Sequence, residues 1–207
     1  MPNNNNQIIS YFTLRILIGS LGMLLPILLV ISNYITNATV VIENSISDYY
    51  DNGTAGDILV GVLFVLGFFL LCYKGYNRTD NIASSVGGVA ALGVALFPTT
   101  GNALVHSLHF VFATILFLVF IFFSLYLFRK GHANGVQSKL KPTRNNVYLI
   151  CGIIMSLCVV SIGVLSFNKF TLIKNDYNLT FWLESMALIA FGFSWAIKGQ
   201  MLWSDET

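Results

Sequence analysis

Residues 104–128, LVHSLHFVFATILFLVFIFFSLYLF, contain no side chain that is fully charged at neutral pH and end at Arg129 and Lys130. As a helix, 25 residues at 1.5 Å rise make a rod of about 37 Å, longer than the roughly 30 Å hydrocarbon core of a bilayer. A chain built around such a rod needs lipid, and the rest agrees: 56% of the residues are hydrophobic, 10% are charged, and the mean hydropathy is +0.74. A net charge of +2 and the lack of a basic run interleaved with aromatics exclude a nucleic-acid binder.

Read in order, the 207 residues give a single all-α domain, a polytopic integral membrane protein of six transmembrane helices near residues 11–33, 57–73, 81–97, 104–128, 147–167 and 179–197. The first span follows an asparagine-rich start and is too long for a signal-peptide core, so the N-terminus is expected to stay. It carries Arg15, a small-residue face at Gly19 and Gly22, and Pro26 as a kink. The third is so rich in Gly, Ala and Ser that its expected place is the middle of the bundle. In the sixth, Trp182 and Trp195 sit where interfacial anchors belong. Cys72, Cys151 and Cys158 lie in apolar segments without CxxC spacing and read as buried small hydrophobes.

Orientation follows from the basic residues. Arg15, Lys74, Arg78, Arg129, Lys130, Lys139, Lys141, Arg144 and Lys198 fall on one side, Lys169 and Lys174 on the other. Both termini are therefore expected in the cytoplasm.

That topology brings Asp57, His106, His109 and Glu184 toward the outer side, with Ser47, Asp48 and Tyr49 in the turn-rich loop above them. An acid inside a span costs roughly 2.5 to 3.5 kcal/mol and usually faces a cavity or partner, which makes Glu184 the sharpest signal. His106 and His109, three apart, share one helical face. Each residue also has a plainer reading. Glu184 could be hydrated near the interface, the histidines could satisfy loop backbone, Asp57 could cap span two, and Asp80 could pair with Arg78 or cap span three. The third histidine, His132, falls on the cytoplasmic side. No dinucleotide, phosphate-loop or nucleophile-elbow motif is present.

Several segments resemble a bacterial six-span membrane family catalogued as a domain of unknown function: 46–50 (ISDYY), 56–61 (GDILVG), 73–76 (YKGY), 91–98 (ALGVALFP), His109 and 191–195 (FGFSW). The likeness covers nearly the whole chain. A looser one, in the span number, the Ile-Ser-Asp of the first outer loop and the histidine opening span four, is to the damage-regulated autophagy modulator group. The resemblance implies a multi-pass protein of the bacterial cytoplasmic membrane and no particular reaction. Where that family often has a basic residue before the acid at position 57, this chain has Gly56.

Three functions stay open on the sequence. The first is binding, sensing or moving a membrane lipid or small amphiphile in an outer-leaflet pocket, with no cofactor. The second is a hydrolase of lipid esters or amides using zinc held by His106, His109 and Asp57 or Glu184. The third is a proton-coupled carrier exchanging protons between an acid and a histidine, although it lacks a visible inverted repeat.

Overall fold

A computed structural model describes residues 10–75, 77–130, 140–166 and 177–201. Phe167, His132, Lys139, Lys169, Lys174, Tyr76 and the asparagine-rich start lie outside these residues. The described elements are α1 (Tyr11–Asn37), α2 (Thr54–Cys72), α3 (Arg78–Leu96), α4 (Ala103–Phe122), α5 (Lys141–Leu165) and α6 (Leu179–Lys198), with a one-turn 3-10 helix at Ser47–Asp51. No strand occurs among the described residues. By length and apolarity, α1, α2, α4, α5 and α6 are each able to cross a membrane. In α3, Arg78 and Asp80 in the first turn and the many small residues lower the apolar content.

Local chemistry sets the helix ends. Ser10 Oγ accepts the Thr13 amide at α1, Asn77 Oδ1 accepts the Asp80 amide at α3, and Asn102 Oδ1 accepts the Val105 amide at α4. These caps correct two expectations. Asp57 does not cap α2, which starts three residues earlier behind Gly53; it is exposed in the first turn, where its charge suits the helix dipole. Asp80 does not cap α3 either, since Asn77 does, and its side chain is buried. Pro98 stops α3 because the residue before a proline is driven out of the helical region, and Phe97 is accordingly extended (φ −110°, ψ 100°). Beyond Phe122, α4 widens into a π-helical turn, Phe123–Leu127.

Each helix packs on the next, and α6 closes the ring against α1. Small residues make the closest approaches. A β-carbon on Gly19 would stand 2.5 Å from the Gly192 carbonyl oxygen, and one on Gly88 would stand 2.8 Å from that of Gly67. The small residues of α3 therefore serve two neighbours, α2 and α4, while Ile82, Val86 and Val89 point outward. This corrects its expected central place; α6 is the most enclosed of the five long apolar helices.

Two further expectations change. Trp195 is fully buried among Tyr73, Phe123, Phe128 and Phe191, so it is a core residue and Trp182 alone is exposed. Cys151 and Cys158 are buried, but Cys72 is on the surface.

The basic end is tied together across the ring. Buried Arg15 donates from Nε and Nη2 to the Tyr73 hydroxyl (3.3 and 3.2 Å) and from Nη1 to the Lys198 carbonyl (3.5 Å). Lys198 Nζ donates to the Phe128 carbonyl at 3.2 Å.

Candidate functional site

The opposite end is closed by the loop of residues 38–53, which is fastened to the helices around it. Asn33 Nδ2 donates to the Val41 carbonyl (3.1 Å), Asn178 Nδ2 to that of Ile42 (3.1 Å), and the Phe181 amide to that of Asn44 (2.9 Å). Tyr50 Oη reaches the Ala95 carbonyl at 3.0 Å. Tyr49 is fully buried with its ring against Phe181; its hydroxyl donates to the Val41 carbonyl and accepts the Glu43 amide, both at 3.3 Å. Burial pushes the Tyr49 phenol above its ordinary pKa, and the nearby Glu43 charge adds to this against the opposing backbone hydrogen bond. Gly56 belongs to this fastening too. The Tyr50 carbonyl occupies the space a β-carbon would need there, so no basic side chain fits at position 56.

Two polar contacts meet the loop at adjacent residues. Glu184 Oε2 accepts the Ile46 amide at 2.7 Å. Ser47 Oγ lies 2.9 Å from His109 Nε2, and His109 Nδ1 lies 2.6 Å from the Phe97 carbonyl oxygen. A carbonyl only accepts, so Nδ1 carries the ring proton. Nε2 of the neutral ring then accepts from the Ser47 hydroxyl. His109 is 1% exposed, and Pro98 explains its anchor: with Phe97 extended, the Phe97 carbonyl is turned toward the ring.

Beneath Ile46 and Ser47 lies a cavity with about 590 Å³ of empty space, counting that at its partly open mouth. It runs past Leu59 to Leu66 on α2, about 10 Å along the axis, toward Phe120, which stacks on Phe191 at 3.6 Å. Among the described residues, Ser47 and Glu184 are the only polar side chains in its lining.

Of the residues singled out in the sequence, Ser47 and Glu184 line this cavity and His109 stands behind Ser47. Tyr49 is an anchor of the loop. Asp48 and Asp57 are exposed, and His106 is exposed with its ring 4.7 Å from that of Phe110. The four residues considered as a zinc set are not brought together: among the described residues no three His, Cys, Asp or Glu side chains gather around a point where a metal ion could sit. Both nitrogens of His109 are also engaged by protein groups.

The partners missing from the sequence reading are mainly backbone groups, the Phe97 carbonyl and the Ile46 amide. Pro98 marks the first; nothing local marks the second. No family model matches this chain, and neither the curated proteins nor the solved structures include a match to it.

Proposed function

We propose that the chain is a six-span protein of the bacterial cytoplasmic membrane, with both ends in the cytoplasm, that holds one chain of a lipid or similar amphiphile in its outer-leaflet cavity. The basic residues argue for the orientation: Arg15, Lys74, Arg78, Arg129, Lys130, Arg144 and Lys198 stand at the ends of helices away from the 38–53 loop. Placement with the six-span family that the sequence resembles belongs to the same proposal.

The observation that carries the reading is the cavity itself. Its wall is aliphatic and aromatic, it opens at a mouth, and its two polar side chains sit together at the loop end, as in sites that take a largely apolar ligand with a polar head. An acyl or isoprenoid chain fills the apolar part, and the ligand's polar head meets Ser47 and Glu184.

Native mass spectrometry of the chain purified in mild detergent tests this. The wild type is expected to retain a lipid mass that Leu116→Trp, which fills the cavity, expels, and that Glu184→Gln holds more weakly. Equal retention by the wild type and Leu116→Trp would remove the reading.

A further inference from the structure

We propose that Ser47 and His109 form a nucleophile–base dyad that transfers the acyl group of a long-chain ester held in the cavity. The inference rests on the lipid-binding reading above and adds a reaction to it.

Three observations converge. The first is the ordered row Ser47 Oγ, His109 Nε2, His109 Nδ1 and Phe97 carbonyl, with separations of 2.9 Å and 2.6 Å at its two hydrogen bonds. A nucleophile beside a base, with the base's far nitrogen held by a third group, is the arrangement that activates a hydroxyl for attack. The backbone carbonyl fixes the tautomer that leaves Nε2 free to take the proton. The second is placement: Ser47 is among the residues that line the cavity, whereas His109 is buried and is not, so Ser47 is the member of the pair next to a ligand held there. The third is redundancy. The loop is already held by Asn33, Asn178, the Phe181 amide, Tyr49, Tyr50 and Glu184. The Ser47–His109 pair is not needed to fasten it.

The reaction balances without metal or redox partner. Ser47 Oγ bonds to the ester carbonyl carbon as its proton passes to His109 Nε2. The tetrahedral adduct collapses, the bond from carbon to the alcohol oxygen breaks, and the proton on Nε2 goes to that oxygen. Water then attacks the acyl-serine, giving its proton to Nε2, and the fatty acid leaves as the proton returns to Ser47 Oγ. An acceptor alcohol in place of water yields a new ester by the same steps.

The test uses the full chain in detergent with alkyl fluorophosphonates, which bond covalently to activated serines, and locates the adduct by peptide mass measurement. Wild type and His106→Ala are expected to be labelled at Ser47 at similar rates. Ser47→Ala should take no label there, and His109→Gln should label about 100-fold or more slowly, the range of a general base. A long-chain reagent should outpace a short-chain one at least tenfold, and Leu116→Trp should abolish that preference. Should His109→Gln fail to fold, the chain-length series on the wild type decides. No adduct at Ser47, one that forms as fast in folded His109→Gln, or one indifferent to chain length would overturn the dyad. If lipid is still retained in those cases, the binding reading stands; if it is not, both fall.

Discussion

Tyr49 shows how much one side chain contributes to closing the end that carries the 38–53 loop. Its hydroxyl satisfies a carbonyl and an amide of the same loop, Val41 and Glu43, while its ring packs on Phe181 of α6. Tyr49→Phe keeps the ring and leaves both backbone groups without this partner, so a loss of about 1 to 2 kcal/mol is expected in thermal unfolding followed by circular dichroism. The pH dependence has a definite sign. Because the folded pKa is raised, the unfolded chain loses this proton first as the pH climbs. The contribution is whole below the ordinary tyrosine value of about 10 and declines as the pH rises above it. The wild type should therefore lose stability above that pH more steeply than Tyr49→Phe; parallel curves would place the phenol in water-like surroundings. His109 and Glu184 were legible in the sequence as residue types out of place in lipid, and Ser47 as part of the loop above them. Their partners were not. Helix rotation and loop path decide which polar groups meet, and neither leaves a local signal, which is why Asp57 and His106 stood among the candidates with Glu184 and His109 yet are exposed.

At the scale of elements, all six helices were readable from the sequence, five of them, α1, α2, α4, α5 and α6, being long and apolar enough to cross a membrane, and the packing between them was readable only in part. Gly19 and Gly22 marked a contact face on α1, and they do meet α6, at Gly192 and Phe191. The composition of α3 suggested a central helix because small residues permit close approach on any side. It does not say how many sides are used, and here two are occupied while the third carries branched residues outward. Trp195 misled for a similar reason: a tryptophan near a span's end suits both the interface and a core of aromatic rings. The α1–α6 seam gives a quantitative expectation. In Gly192→Ala the added methyl would collide with the Gly19 carbonyl and the Met23 side chain, and backbone leaves the seam little room to yield. The overpacking should cost about 1 to 3 kcal/mol in unfolding experiments. Gly61→Ala, with nothing near its β-position, serves as the matched control and should be neutral or slightly stabilising.

For the molecule as a whole, the two ends of the ring are chemically unlike. One gathers Arg15, Lys74, Arg78, Arg129 and Lys198. The other presents the loop with Glu43, Asp48 and Asp51 and the acid of Asp57, among described residues without lysine or arginine. Basic segments resist translocation, so on the proposed topology this asymmetry predicts the orientation in a membrane, which is directly measurable. In a Cys72→Ser background, Asp48→Cys places a thiol on an exposed residue of the loop, and Arg129→Cys places one at the basic end. A membrane-impermeant maleimide applied to intact spheroplasts should label the first and spare the second until the membrane is opened. The reverse pattern would put the cavity mouth in the inner leaflet. On the proposed lipid-binding function, lipids drawn from the cytoplasmic face would then be the ones to reach Ser47 and Glu184, so the sidedness of the thiols also tests which leaflet would supply the ligand.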